Sequence, residues 1–157
     1  MKNNYINIVG LMTGTSMDGI DISIVKSNGH ELVNLKNFYY KFHPLSKKKL
    51  LKFLKNKFLI LTDKKLKALA DKFVTKLHYE ALKKLNSDAE YDIIGFHGQT
   101  IYHNPINKIS LQLGDPYSLC KMMKKDVIFD FRSNDLKHGG QGAPLAPIYH
   151  KYIMKKK

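Results

Sequence analysis

The stretch GLMTGTSMDGID, residues 10–21, joins two β-rich runs near the start of the chain. The run before it, Asn4–Met12, is apolar, and the run after it, Ile20–Lys26, alternates between apolar and polar side chains. A turn signal, Asn28-Gly29, separates the second run from a third one, His30–Phe42. The sequence therefore predicts a three-stranded antiparallel meander whose first connection is a loop of glycine, threonine and serine.

The rest of the chain predicts helices packed against further strands. We expect helices over residues 46–58, 63–85, 116–123 and from Leu145 onward, buried strands over 92–96 and 127–131, and a hairpin of strands over 100–103 and 109–113. The expected helix caps are Ser46, Thr62 or Asp63, and Asp115. Helical spacing predicts that the first two helices bury Leu50, Leu51, Leu54, Phe58, Leu66, Leu69, Ala70, Phe73, Val74, Leu77, Ala81 and Leu85. The order β-β-β-α-α-β-β-β-α-β indicates an α/β fold in which a mixed sheet is flanked by helices.

The charge of the chain is strongly positive, with 27 Lys and Arg against 13 Asp and Glu and a net charge of +14. Arg132 is the single arginine, and the excess of Lys, Asn, Ile, Tyr and Phe is typical of an AT-rich coding background. Because arginine is the residue that recognises guanine edges and binds phosphates through two hydrogen bonds, the scarcity of arginine argues against nucleic-acid binding. Residues 41–84 hold 14 lysines between the apolar helix positions. They predict a solvated helix face or, as the alternative, a surface for an anionic partner.

Cysteine, histidine and apolar patterns exclude several classes of protein. A single cysteine, Cys120, rules out an internal disulfide framework, and no Cys or His cluster has the spacing of a zinc site. No apolar run approaches the roughly 20 residues of a membrane span, and the first residues carry no signal-peptide pattern. We therefore expect a cytoplasmic protein without a membrane segment and without a histidine- or cysteine-bound metal.

The loop between the first two predicted strands carries groups suited to an anion. Its small residues let backbone N–H groups approach a ligand, and its hydroxyls add hydrogen-bond donors. Asp18 and Asp21 offer oxygen ligands suited to Mg²⁺ bound through water. The loop lacks the GxxxxGK[ST] pattern and its lysine, so it is not a Walker loop. By its spacing alone it is either a phosphate loop or an ordinary glycine-rich turn.

Three further motifs lie at the ends of predicted strands or before a helix. His97-Gly98-Gln99-Thr100 and Asp130–Asp135 each follow a buried strand, where sites of α/β proteins form. Each is alternatively a loop whose side chains satisfy backbone groups. The single arginine, Arg132, indicates a need for the planar guanidinium, either to grip a carboxylate or to lock its loop through the aspartate at either end of that segment. Gly139–Leu145 is either an anion or sugar site or a plain loop-to-helix junction.

Four blocks together resemble the anhydro-N-acetylmuramic acid kinase family of bacterial cell-wall recycling. They are GLMTGTSMDGID (10–21), GFHGQTIYHNP (95–105), LQLGDP (111–116) and VIFDFRSNDLKHGGQGAPLAP (127–147), and they occur in the family's order. They cover most of the chain outside the helices predicted at 44–90. The resemblance implies the actin-like fold of sugar kinases and Hsp70-type ATPases, in which two similar domains enclose a cleft. Residues 1–157 would form the first, N-terminal domain, and the second would be absent.

The resemblance also implies a reaction and the residues that serve it. Family members use ATP and Mg²⁺ to phosphorylate the 6-oxygen of 1,6-anhydro-N-acetylmuramic acid while a water opens the anhydro bridge, giving N-acetylmuramic acid 6-phosphate. The residues that match the family's first phosphate loop are Gly14, Thr15, Ser16, Met17, Asp18, Gly19, Ile20 and Asp21, with Asp18 and Asp21 toward Mg²⁺. The residues that match blocks lining the cleft, and so the sugar, are His97, Gln99, Thr100, Arg132 and Asp135.

The chain departs from the family pattern in its length. Family members are well over twice as long, and their catalytic base is an aspartate in a later Asp-Thr-Gly-Pro-Gly block that residues 1–157 do not contain. We therefore expect no catalytic base here, no activity from the chain alone, and an open face prone to self-association. A frame slip in the terminal lysine run, or a split enzyme with its second half on a separate chain, would account for the length. The alternative is a stand-alone module that binds a sugar or an anionic partner.

Overall fold

The computed structural model describes residues 4–85 and 90–154, so the terminal lysine run lies outside the described residues. The strands are β1 (Ile6–Thr13), β2 (Gly19–Ser27), β3 (Leu32–Lys41), β4 (Ile93–Asn104), β5 (Ile109–Leu113) and β6 (Asp126–Ile128). The helices are α1 (Pro44–Lys55), α2 (Lys57–Thr62), α3 (Lys64–Lys83), α4 (Pro116–Met123), α5 (Ser133–Lys137) and α6 (Ala146–Met154). The predicted α/β class is confirmed, with differences in element number described below.

The predicted meander is present and forms one half of a mixed sheet. The strand order is β3-β2-β1-β4-β5, and β6 pairs with β4 on the flank that β5 uses further along. Strands β1, β4 and β6 run parallel, whereas β2, β3 and β5 pair antiparallel with their neighbours. The alternation predicted for the second strand is confirmed, because Ile20, Ile22 and Ile24 are at most 2% exposed.

Helix α3 supplies much of the core, and its predicted start is confirmed. The carboxylate of Asp63 accepts hydrogen bonds from the backbone N–H groups of Lys65 and Leu66, at 2.8 and 3.0 Å, and so caps the helix. The buried stripe of this helix includes Ala70, Val74, Leu77 and Ala81, as predicted. Burial of Leu69 is a wrong prediction, since this side chain is 53% exposed. It lies about 100° around the helix from Ala70 and so falls outside the stripe.

The first predicted helix begins earlier and ends earlier than expected. It starts at Pro44, with His43 as its cap, because Nδ1 of His43 accepts from the N–H of Leu45 at 3.3 Å. The prediction of Ser46 as the cap is therefore wrong. The helix ends at Lys55 and is capped by Asn56, whose side-chain amide and backbone N–H both donate to the carbonyl of Lys52. That bonding satisfies the last turn, and the short helix α2 follows.

The break at Asn56 changes which apolar side chains are buried. Phe58 is 63% exposed and Leu51 is 37% exposed, so burial of these two residues is wrong. Phe53 and Ile60 are buried in their place, at 5% and 1% exposure. A single continuous helix would have kept Phe58 in line with Leu54, and the interruption removes that phase relation.

A single long strand replaces the predicted short strand and first arm of the hairpin. The structure has one continuous strand, β4, over Ile93–Asn104, where the sequence predicted separate strands over 92–96 and 100–103. Gly98 sits inside it with φ +69°, and the β1–β4 register shifts between Leu11 and Thr13. This shift is a β-bulge, in which an extra residue is accommodated without ending the strand. The described part of the chain therefore has six strands rather than the seven that the predicted order contains.

The last strand is shorter and less buried than predicted. Strand β6 has three residues and, among the described residues, pairs with β4 only, and Ile128 is 52% exposed. Phe129 and Phe131, placed in this strand by the prediction, follow it and are 39% and 41% exposed. The backbone turns away at Asp130, where φ is +56°. The short helix α5, which carries too few apolar residues for a periodic signal, follows this turn.

The lysines of residues 47–84 lie on the outer faces of the helices, as predicted, whereas Lys41 is the last residue of β3. None of them is buried, and within the described residues Lys47, Lys67 and Lys76 form ion pairs with carboxylates. Among the described helices, none is long and apolar enough to cross a membrane.

Candidate functional site

Three of the predicted motifs converge at one edge of the sheet. In the parallel pairing of β1 with β4, Thr13 lies opposite Gln99. On the other side of β4, Gly95 lies opposite Ile128, the last residue of β6. The loop that follows β1, the bulged part of β4 and the segment after β6 are therefore neighbours, at the carboxyl ends of parallel strands where α/β proteins bind ligands.

The loop after β1 is anchored by buried residues and presents two exposed ones. The N–H of Met17 donates to the carbonyl of Gly14 at 3.1 Å, which closes a tight turn, and the Met17 side chain is 1% exposed with φ +54°. Ile20 is fully buried, so the side chains of Met17 and Ile20 belong to the core. Thr15 and Ser16 are exposed, and their backbone N–H groups donate to no other group of the described chain. The loop thus offers two free amides and the hydroxyl of Thr15, whereas the Ser16 hydroxyl donates to Asp18.

Gly19 ends this loop at a position that no larger residue could occupy. A Cβ added there would lie 2.4 Å from the carbonyl oxygen of Tyr40 and 2.6 Å from the ring of Tyr39. The close approach of β3 to the end of the loop therefore requires glycine.

A lysine that the sequence pattern does not reveal lies at this loop. Lys47, in the first turn of α1, forms an ion pair with Asp18. Hydrogen bonds from Lys47 and then from Ser16 lower the pKa of Asp18, and burial opposes them. The absence of a Walker lysine thus holds for the loop's sequence, but a cation reaches it from 29 residues further along the chain. No signal in the local sequence could have found this contact.

Asp21 lies apart from that ion pair, on the solvent-exposed face of β2, between Met12 of β1 and Tyr39 of β3. The described residues contain no group of three or more His, Cys, Asp or Glu side chains able to hold a metal ion. Asp18 and Asp21 could therefore supply at most a few of the ligands of a cation, with the others coming from water or from a bound phosphate.

Gln99 lies beneath the loop and braces it. Its side chain is 1% exposed, and its Nε2 donates to the carbonyls of Gly14 at 3.4 Å and Thr100 at 3.1 Å. Its Oε1 is buried and has no partner among the described residues. Thr100 faces the hairpin instead, where its hydroxyl accepts from Nε2 of Gln112 at 3.3 Å. The hydrogen bond from Gln99 to Gly14 therefore links the HGQT motif to the loop at residues 14–17.

His97 and Arg132 form a second polar pair next to the loop. Nε and Nη2 of Arg132 both donate to Nε2 of His97, at 3.1 and 2.9 Å. Nδ1 of His97 donates to the carbonyl of Gly98 at 3.1 Å, so the ring is a neutral imidazole with its proton on Nδ1. Burial lowers the pKa of His97, the Gly98 carbonyl opposes this, and the guanidinium charge lowers the pKa further.

The partner of Arg132 is not an aspartate, as one of the two sequence-based alternatives proposed. The guanidinium forks onto His97, whereas Asp130 accepts from the hydroxyl and N–H of Ser133 at the start of α5. The loop-locking alternative through Asp130 or Asp135 is therefore wrong. The guanidinium makes two hydrogen bonds to one imidazole nitrogen, an acceptor that neither alternative named.

Asp135 supports the glycine-rich loop before α6. Its carboxylate accepts from the N–H of Gly142 at 2.7 Å, and its carbonyl accepts from the N–H of Gly140 at 2.9 Å. A Cβ added at Gly140 would lie 2.2 Å from the same carboxylate, so the loop packs directly on Asp135. The amide of Gly142 is thus committed to Asp135 rather than free for an anion.

A cleft of about 250 Å³ opens beside the His97–Arg132 pair. Its walls include Gln112, Tyr117 and Phe129, and the rings of Tyr117 and Phe129 meet edge to face at 5.5 Å. Asp115 caps α4 as predicted, accepting from the N–H groups of residues 117 and 118, which fixes Tyr117 at the wall. Of the five residues matched to the sugar cleft, His97 and Arg132 line it, while the other three hold neighbouring segments. The aromatic wall residues Tyr117 and Phe129 were not identified from the sequence. The one sequence feature near them was the Asp115-Pro116 helix cap.

Arg132→Gln is expected to raise the pKa of His97, because it removes the guanidinium charge that disfavours the protonated ring. Burial remains, so the pKa stays below the ordinary value for histidine. The measurement is an NMR titration of the His97 ring proton. Lys137→Gln removes a positive charge from the exposed end of α5 and is the matched control, expected to leave His97 unchanged. An unaltered titration in Arg132→Gln would contradict the argument.

A mixed sheet with a Gly-Thr-Ser loop at the carboxyl ends of its parallel strands is an α/β arrangement compatible with a sugar-kinase-like domain. A model of the family described as anhydro-N-acetylmuramic acid kinase matches residues 6–157. The chain belongs to this kinase family, which confirms the resemblance read from its four blocks.

Curated relatives carry the same name. The chain is 40% identical over 163 residues to the anhydro-N-acetylmuramic acid kinase of Pelagibacter ubique, and the match covers 98% of this chain and 42% of the relative. It is 37% identical over 154 residues to the relative from Rhodopseudomonas palustris, covering 92% and 42%. It is 33% identical over 149 residues to that from a Ruegeria species, covering 95% and 38%. The chain therefore spans about two fifths of the length of these relatives, consistent with an N-terminal portion.

Proposed function

We propose that this chain is the N-terminal, actin-like domain of a cytoplasmic, ATP-dependent anhydro sugar kinase, and that the loop at residues 14–21 receives the phosphates of ATP. The observation that carries the proposal is the convergence of three family blocks on one sheet edge, where Thr13 pairs with Gln99 and Gly95 pairs with Ile128. The order β3-β2-β1-β4 with parallel β6 supports the actin-like assignment, because that fold begins with a meander followed by parallel strands.

The groups at the loop fit a magnesium-bound phosphate. The free N–H groups of Thr15 and Ser16, together with the Thr15 hydroxyl, are donors of the kind that phosphate oxygens accept. Asp18 would repel a bare phosphate, but it would hold Mg²⁺ through water, as would Asp21. Lys47 adds a second cation, which would have to share or release Asp18 when Mg²⁺ binds. When bound, ATP supplies the phosphoryl group, and Mg²⁺ offsets the negative charge of the phosphates.

The cleft beside the loop is the site we propose for 1,6-anhydro-N-acetylmuramic acid. Its aromatic walls suit the faces of a sugar ring, and Arg132 offers an Nη1 with no partner in the described residues for the carboxylate of the muramic acid. Thr100, Gln99 and Asp135 then act through the segments that they hold.

The chain's own groups bind and orient rather than remove a proton from water. Both nitrogens of His97 are engaged, one with Gly98 and the other with Arg132, which leaves the ring no lone pair for a base. Asp18 faces Lys47 on the phosphate side of the site. We propose that the base belongs to the part of the relatives that residues 1–157 do not match, and that ADP release needs that part.

Titration of the 157-residue chain with Mg-ATP, followed by backbone amide NMR, tests the phosphate assignment. We expect weak binding whose largest shifts occur at Thr15 and Ser16, because these amides are free to meet the phosphate. Asp18→Asn should weaken the Mg²⁺-dependent part of the affinity several-fold. Asp126→Asn, which removes an exposed carboxylate at the opposite end of the sheet, is the matched control and should bind as the wild type does. Shifts that avoid residues 14–21 would overturn the proposal.

A further inference from the structure

Three polar side chains are buried directly beneath the loop at residues 14–17. Thr13, His78 and Gln99 are 3%, 1% and 1% exposed, in a core made mainly of apolar side chains. His78 stands on α3, 65 residues from Thr13 in the sequence, and belongs to none of the four family blocks. Because burying an imidazole costs free energy that an apolar side chain would not, its presence at this place needs a physical explanation.

The hydrogen bonds of His78 decide which ring nitrogen carries the proton. Nδ1 lies 2.9 Å from the carbonyl oxygen of Val74, which can only accept, so Nδ1 is the donor. Nε2 of the neutral ring is then an acceptor, and the Thr13 hydroxyl, 3.1 Å away, donates to it. The ring of Phe96 meets His78 at 90° with centroids 4.9 Å apart. The imidazole is therefore fixed by both nitrogens and by an aromatic neighbour.

This bond reaches the first residues of the loop. Thr13 is the last residue of β1, and the next residue, Gly14, opens the loop. The carbonyl of Gly14 accepts from the N–H of Met17 at 3.1 Å and from Nε2 of Gln99 at 3.4 Å. His78 thus holds Thr13, and Gln99 holds Gly14. These two residues directly precede the exposed amides of Thr15 and Ser16.

We propose that His78 is a positioning residue for the phosphate loop, which it orients by holding the Thr13 hydroxyl with Nε2. The inference rests on the proposed function of the loop as a phosphate site. An apolar side chain could fill the same volume but could not accept the hydroxyl hydrogen. A phosphate site gains from this arrangement, because amides that already point at the ligand need no reorganisation when it binds.

Hydrogen exchange of backbone amides in the full 157-residue chain tests the proposal with matched variants. Thr13→Val removes the hydroxyl at nearly constant volume, Thr13→Ser keeps it, and His78→Phe removes the acceptor. We expect Thr13→Val and His78→Phe to accelerate exchange at the Met17 amide by about tenfold, with Thr13→Ser close to the wild type. The amides of β2, which lie outside the held segment, should keep their rates after correction for global stability. Because His78→Phe can fail to fold, the two Thr13 variants carry the comparison.

Two outcomes would overturn the positioning role. Equal acceleration in the loop and in β2 would show that the bond serves overall stability only. Ring nitrogen shifts that place the proton of His78 on Nε2 in the wild type would remove the acceptor on which the role depends. The Mg-ATP titration stays separate: if the wild type binds no nucleotide but Thr13→Val still loosens Met17, the phosphate assignment fails and the positioning of the loop stands.

Discussion

Gly98→Ala is expected to lower the free energy of unfolding by about 3 kcal/mol or more. Gly98 has φ +69°, and a Cβ added there would lie 2.3 Å from the carbonyl oxygen of Leu113. The left-handed conformation costs an L-residue roughly 1–2 kcal/mol. The contact adds to this cost, because the atom in the way belongs to the backbone of β5 and cannot rotate aside as a side chain would. Urea unfolding followed by circular dichroism measures the loss.

Gly29→Ala provides the matched control for that variant. Gly29 also has positive φ, +85°, but an added Cβ would meet no atom of the described residues within 4 Å. Only the backbone cost applies there, so we expect a loss of roughly 1–2 kcal/mol. The difference between the two variants isolates the clash with β5. Equal losses, or a Gly98→Ala variant as stable as the wild type, would contradict this reasoning.

Gly98 matters for the site because the bulge at this glycine sets the face of the sheet to which the neighbouring side chains of β4 point. The step from Leu11 to Thr13 in β1 is two positions, whereas the matching step from Phe96 to Gln99 in β4 is three positions. The extra residue lets Phe96 and Gln99 both point into the core, at 3% and 1% exposure, while His97 lines the cleft. Without the bulge, strict alternation would place Gln99 on the same face as His97. The position of Gln99 beneath the loop and that of His97 beside Arg132 in the cleft therefore both depend on Gly98.

Features with a strong local signal were predictable from the sequence. The isoleucines of β2 alternate because one face of that strand is buried, and Asp63 caps α3 because an aspartate before a helix satisfies its free N–H groups. The loop between β1 and β2 was also located, since its glycines and hydroxyls interrupt two β-rich runs. Each of these signals is contained within a few consecutive residues.

Features that depend on distant packing were not predictable. Lys47 reaches Asp18 from 29 residues away, and Arg132 reaches His97 from 35 residues away. Nothing near either residue indicates its partner, because the contact exists only after the sheet and helices have assembled. The hydrophobic pattern likewise could not show that Asn56 interrupts a helix, since that depends on which carbonyl its amide finds.

Acidification from pH 7 to pH 4 is expected to cost the chain about 3 kcal/mol of unfolding free energy through His78. Burial lowers the pKa of His78 from 6.5 to about 4, against an opposing effect of the Val74 carbonyl. Between these two values the unfolded chain binds a proton that the folded chain does not. Stability therefore falls as the pH falls through this window, and the loss stops growing below pH 4, where both states are protonated. Urea unfolding at a series of pH values measures the slope.

Two variants separate the titration of His78 from the loss of its contact. His78→Phe removes the titrating ring and should flatten the slope between pH 6.5 and pH 4, leaving the part that His97 contributes in the same direction. Thr13→Val breaks the same hydrogen bond but keeps the ring buried, so it should lower stability at pH 7 while retaining the slope. An unchanged slope in His78→Phe would assign the acid sensitivity to other groups. A slope lost in Thr13→Val would show that the hydroxyl, rather than burial, keeps the ring neutral.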